Sequence, residues 1–143
     1  MQAMEISRTG LEVEWRRLEV IAENLANAGT TRTESGGPYQ AKRLLTGPRA
    51  DFAAQLATRG GTGTVPGGVA VLGVDSVNLP PRMVHEPAHP HADKDGYVAY
   101  PGVDHAGEMS LMVKTSRAYE ANIVAMNVAR QMYMKAMELG RGQ

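Results

Sequence analysis

The sequence predicts a mainly α protein. N- and C-terminal heptad helices pack as a coiled coil, and an irregular middle segment contains a small β-hairpin or sheet. Three observations predict it. Apolar residues recur at sevens near both ends of the 143-residue chain. All eight prolines and most of the sixteen glycines lie between those ends. Aromatics make up only 5%, so the apolar material is mostly Leu, Val, Ala and nine Met, which favours helix–helix surfaces over a thick mixed core. The length suits one domain or one interrupted domain.

The first helix is expected over residues 4–28. Met4, Leu11, Leu18 and Leu25 recur at sevens, with Ile21 and Ala28 filling alternate positions. A second series, Ile6, Val13, Val20 and Asn27, starts two positions later, about 200° around the helix. An ordinary surface helix carries one apolar stripe, so two stripes predict neighbours on two sides. Gly29 is the expected stop.

Residues 31–68 read as a linker or irregular segment. "TTRTESGGP" and "TRGGTGTVPGG" have turn composition. Between them, Tyr39 to Leu45 suits a strand, and Phe52 and Leu56 suit a short helical turn. Residues 69–104 read as a small β-rich segment. "VAVLGVDSV" is Val-rich, "RMVHEP" is a second strand candidate, and Asp95-Gly96 signals a hairpin turn before "YVAY".

The second helix is expected over residues 105–139. Met109, Met112, Ser116, Tyr119, Ile123, Met126, Arg130, Tyr133 and Met137 alternate spacings of three and four. A period near 3.5 predicts left-handed packing against another helix. Residues 1–30 and 105–143 are thus expected to form one discontinuous helical domain.

Composition excludes several functions. Lys plus Arg and Asp plus Glu are 15 each, so no net field draws the chain to nucleic acid or anionic lipid. The absence of cysteine removes disulfides, thiolate zinc sites and a cysteine nucleophile. No apolar run reaches the roughly 18 residues of a membrane span. "MQAMEISRTGLEVEWRR" lacks the apolar core and cleavage site of a secretory signal peptide, so a cytoplasmic location is the default unless another export route exists.

The chemical motifs are thin. His85, His89, His91 and His105, with Glu86 and Asp93, are the material for an alternative reading: a metal-binding module or small metal-dependent enzyme. Nothing in the spacing supplies a third ligand, and a Pro-rich surface loop explains the cluster better. "DKDG" opens like a calcium loop but precedes a strand, so a β-turn fits. There is no phosphate loop and no nucleophile elbow. Glu12, Glu14, Glu19 and Glu23 interleave with Arg8, Arg16 and Arg17 as a solvated or inter-subunit face. Trp15 on that helix suits an interface anchor or simple packing. Methionines at heptad spacing are filler of cores and interfaces.

Two stretches carry a family likeness. "VIAENLANAGTTRTESGGPYQAKR" resembles the N-terminal motif of bacterial flagellar rod and hook proteins, whose first helix ends in a hydrophobic-x-x-Asn-Leu-Ala-Asn pattern. "HEPAHPHADKDGYVAYPGVDHAGEMSLMVKTSRAYEANIVAMNVARQMYMKAMELG" resembles their C-terminal half. The shared parts are Glu86-Pro87, Pro90, Asp93, Gly96-Tyr97-Val98, Pro101, Val103-Asp104, Glu108-Met109 and Arg117-x-Tyr119-x-x-Asn122. The likeness spans residues 4–45 and 80–140, and the length resembles the short proximal-rod members. "TGPRADFAAQLATRGGTGTVPGG" matches no family pattern.

The resemblance implies an axial structural subunit with no catalysis and no cofactor. It implies export through the flagellar type III apparatus without a cleaved signal, and a place in the periplasm-spanning basal-body rod. Its partners would be other rod proteins, copies of itself and, in transit, the export apparatus. Nucleic acid, small-molecule substrates and direct membrane insertion are not implied. The assembly interface would then comprise Met4, Leu11, Leu18, Ile21, Asn24, Leu25 and Asn27 on the first helix. On the second it would comprise Met112, Tyr119, Asn122, Ile123, Met126 and Tyr133. Asn24, Asn27 and Asn122 would set register at helix joints or, for the first pair, cap the helix end.

Overall fold

The computed structural model describes residues 2–49 and 67–141. The turn expected around Phe52 and Leu56 lies outside the described residues. The elements run α1 (Gln2–Ala26), β1 (Lys42–Pro48), β2 (Val69–Ser76), β3 (Arg82–His85), β4 (Tyr97–Tyr100) and α2 (His105–Arg141). The expected order of helix, β middle and helix is present, with small shifts at the ends. α1 begins and stops two residues early, and α2 continues two residues past 139, through Gly140 to Arg141. Among the described residues, no helix is long and apolar enough to cross a membrane.

α1 ends where Asn27 folds back. Its Nδ2 donates to Glu23 O at 2.9 Å and its Oδ1 accepts from Thr30 Oγ1 at 3.1 Å, so its side chain occupies a carbonyl the helix would leave open. The polar stretch that follows is an ordered loop. Thr33 N donates to Gly37 O at 2.8 Å, Gly36 takes φ 90°, and Tyr39 N donates to Thr30 O at 3.0 Å. Threonine hydroxyls and backbone groups satisfy one another locally, so low hydrophobicity does not prevent order here. The loop returns the chain to α1 and delivers Tyr39 and β1.

β1 and β2 form one two-stranded sheet. Val77 N donates to Ala41 O at 2.7 Å and Arg49 N to Gly68 O at 2.9 Å, which makes the pair antiparallel. β3 and β4 form a second antiparallel pair, in register Arg82↔Tyr100 to His85↔Tyr97. Asp95-Gly96 does not join two paired strands directly, because residues 86–96 separate β3 from β4. It closes a local turn instead, in which Asp93 Oδ1 accepts from Asp95 N at 2.9 Å and Tyr97 N at 2.8 Å, with Gly96 at φ 78°. At the start of α2, Glu108 N donates to Asp104 O at 2.9 Å, placing Asp104 at the N-cap.

The described residues divide into two compact units. Of the described residues, one draws on 2–16, 45–49, 67–73 and 115–141, the other on Arg17–Leu44 and Val74–Lys114. Each takes part of both helices. In the first unit α1 and α2 run in opposite senses: the Trp15 ring lies 6.2 Å from that of Tyr119, and Gly10 lies against Asn122. A Cβ on Gly10 would stand 2.8 Å from Asn122 Oδ1. The second unit centres on Val20, Ile21, Tyr39, Ala41 and Val98, all buried.

Burial follows the predicted period with a shifted centre. On α2, Glu108 and Thr115 are buried and Asn122 and Ala129 are half-buried, again at sevens. Met112, Tyr119, Ile123 and Met126 flank this line half-buried, and every residue from 131 to 140 is exposed. On α1 the middle of the second apolar series lies inside: Val13 and Val20 are buried, Asn27 is half-buried and Ile6 is exposed, whereas Met4, Leu11, Leu18 and Leu25 are half-buried.

Candidate functional site

Among the described residues, the most elaborate polar cluster is built around Asn24, in the second unit. Asn24 lies on the last turns of α1 and has no exposed surface. Its Nδ2 donates to Lys42 O at 2.9 Å and to Glu108 Oε2 at 3.1 Å. Its Oδ1 accepts from Lys42 N at 2.8 Å and from Tyr39 OH at 2.9 Å. An amide side chain has two donor hydrogens and two acceptor lone pairs, so all four positions are used.

The pair of bonds to Lys42 copies one rung of a β-ladder. Asn24 therefore caps the outer edge of β1 at the point where the strand begins, which keeps that edge from pairing elsewhere. The other two bonds tie in Tyr39 and α2. Three stretches distant in sequence meet at one side chain, which is why no local pattern shows the cluster.

Glu108 is 2% exposed and forms an ion pair with Arg43 at 2.5 Å, as well as accepting from Asn24. A carboxylate taken this far from water requires such partners. Lys42 Nζ meets Glu23 at 2.5 Å, but both side chains are more than a third exposed, so this pair contributes little. Burial, followed by the nearby Glu23 and Glu108 charges, pushes the Tyr39 phenol up to about 12.

The first unit carries a smaller version of the device. Buried Thr9 donates from Oγ1 to Ile6 O at 2.8 Å and accepts from Val69 N at 3.1 Å. Gly68, at φ 106°, lies so close that an added Cβ would overlap the Thr9 hydroxyl.

His85 ends β3, His89 and His91 lie in the loop between β3 and β4, and His105 starts α2. His89 Nδ1 accepts from His91 N at 3.0 Å, His91 Nδ1 lies 2.9 Å from Thr31 Oγ1, and the His85 ring meets Tyr97 edge-on at 5.0 Å. Tyr100 OH donates to Glu86 at 3.0 Å, a bond that raises the phenol's pKa. Among the described residues, no group of three or more His, Cys, Asp or Glu is placed to hold a metal ion. The buried polar side chains of the described residues all have partners.

Of the residues singled out from the sequence, Ile21 and Asn24 are inside the chain and Asn27 ends α1. Asn122 donates to Ala118 O at 3.0 Å and packs over Gly10. Tyr133 is exposed. Sequence reasoning missed Thr9, Gly10, Tyr39, Arg43 and Glu108 as parts of these joints. One available signal was the polar series Glu108, Thr115 and Asn122 at sevens, which marks α2's inner line.

Comparison with known proteins decides the family. The chain is 37% identical over 141 residues to the flagellar basal-body rod protein FlgC of Salmonella typhimurium, covering 99% of this chain and 98% of that protein. The chain belongs to the FlgC family of flagellar basal-body rod proteins. Family members of the same name in Borreliella burgdorferi and Bacillus subtilis are 33% and 34% identical, each over 97% or more of both chains. Residues 94–139 also match the family described as "Flagellar basal body rod FlgEFG protein C-terminal". In this FlgC-family chain, that match contains β4 and nearly all of α2, including Glu108 and Asn122.

Proposed function

We propose that the chain is a non-catalytic structural subunit of the proximal rod of the bacterial flagellar basal body, built into it by self- and hetero-assembly of its terminal helices. Beyond family membership, the observation that supports this is the C-terminal part of α2. Residues 131–140 are all exposed, yet they carry Met132, Met134, Met137 and Leu139, the last 80% exposed. An isolated helix of this kind gains little from propensity, and large exposed apolar faces mark association surfaces.

The candidate interface residues divide by burial. Met4, Leu11, Leu18, Leu25, Met112, Tyr119, Ile123, Met126 and Tyr133 retain exposed surface and serve contacts between subunits. Ile21, Asn24, Asn27 and Asn122 set the shape of the subunit that makes them. Residues 1–30 and 105–143 form the coiled-coil layer of the rod, residues 69–104 meet adjacent layers, and force passes through the packed helices. Partners are other rod proteins and further copies. The chain reaches the rod unfolded, through the flagellar type III apparatus, without a cleaved signal.

The test is mass spectrometry of detergent-extracted hook–basal bodies after washing that strips peripheral proteins. The chain should copurify in a copy number comparable to that of other rod subunits. Intact rods that lack it would overturn the proposal.

A further inference from the structure

The first unit contains both halves of a head-to-tail contact. One half is Trp15, the chain's single tryptophan, which stays 56% exposed although its ring lies near Tyr119. The other half is a groove of about 590 Å³ between the start of α1 and the middle of α2, whose lining includes Met4, Ile6 and Met126 together with Glu5, Arg8 and Arg130. That volume falls in the range of pockets that enclose a drug-sized group.

The lining suits an aromatic. Methionine sulfurs favour ring edges, and guanidinium groups favour the face of an indole. A copy cannot fill its own groove. Trp15 and Ile6 are nine residues apart on one rigid helix, roughly 14 Å along its axis.

Resting on the rod assignment above, we propose that Trp15 of one copy seats in the Met4–Ile6–Met126 groove of the next copy. Knob and socket are different surfaces of one chain, so the contact is heterologous and, where the rotation does not close, it continues from copy to copy. A large rigid aromatic at the centre of such a contact carries much of its binding energy.

The test replaces Trp15 with p-benzoylphenylalanine in the full chain and irradiates purified basal bodies. The expected product is a dimer of this chain whose linked peptide contains Met4–Arg8 or Met126. A link elsewhere, an adduct with a different protein, or no dimer in basal bodies that contain the chain overturns the inference and leaves the rod assignment standing. Absence of the wild-type chain from basal bodies overturns the rod assignment itself. Should the probe at position 15 keep the chain out, the same probe at position 126 must capture Trp15 of another copy, and failure there counts equally against the inference. In competition with wild type, Trp15→Ala should enter basal bodies at least about tenfold less and Trp15→Phe should recover most of the loss. Equal incorporation of Trp15→Ala refutes the contact.

Discussion

Removing the Asn24 side chain tests the central joint directly. Asn24→Ala deletes four hydrogen bonds without placing a new group in the site. The Lys42 N–H and C=O are only partly buried, so water reaches them and each bond costs about 1 kcal/mol. The Tyr39 hydroxyl is buried and loses about 1–1.5 kcal/mol. Glu108 is a buried charge, and its lost donor costs about 1.5–3 kcal/mol. Arg43 still pairs with Glu108 and the site relaxes, so the expected total is about 3–5 kcal/mol rather than the full sum. Urea unfolding of the purified chain, followed by circular dichroism, measures it. Asn24→Asp should be worse than Asn24→Ala, because it sets a second carboxylate beside Glu108, and Glu108→Gln should recover part of that difference. A loss under about 1 kcal/mol for Asn24→Ala would mean the four bonds are not what joins β1 and α2 to α1.

The elevated Tyr39 pKa makes stability alkali-sensitive. Between pH 10, the ordinary value, and about 12, the unfolded chain has released a proton that the folded chain keeps, so stability is intact below pH 10 and falls by about 2–3 kcal/mol as pH rises through that window. Urea midpoints should show this fall in wild type minus Tyr39→Phe; parallel pH profiles would disprove it. Gly68→Ala should destabilise by well over 1 kcal/mol, from both its φ of 106° and the overlap with Thr9, whereas Gly36→Ala, at φ 90° in open space, should cost about 1 kcal/mol. Thermal melts of the pair distinguish crowding from backbone strain alone. Gly10→Ala pushes against Asn122 Oδ1, so Asn122→Ala should be less harmful in that background than in wild type, as a double-mutant cycle would register. Ile123→Asp puts an unpaired charge on α2's half-buried flank and should abolish entry into basal bodies, with normal rods from the variant as the contrary result.

The helices were legible because their signal is local. Leu and Met at sevens record which side of a helix stays dry, and that periodicity survives any later arrangement of the chain. Val-rich runs and Asp95-Gly96 marked β2, β4 and a turn for the same reason, and two end motifs in order carried the family. Which stripe of α1 faces inward was not legible. Val13 and Val20 lie inside while Leu11 and Leu18 remain half-exposed, because sheet and α2 packing, rather than hydrophobicity alone, selects the covered side.

The two asparagines show the division most sharply. Asn24 and Asn27 are three residues apart in one motif, and the sequence by itself determined that both stand near the end of a helix that the following polar segment cannot continue. Asn27 does what local chemistry suffices to explain: it bonds to Glu23 and Thr30 within four residues. Asn24 turns away from its own helix end to Lys42, Tyr39 and Glu108, 15 to 84 residues distant. Only the tertiary structure decided that difference. A hydrogen bond is specified by where two groups meet in space, and the loop that brings β1 back to α1, together with the return of α2, makes those meetings at one residue and not at its neighbour.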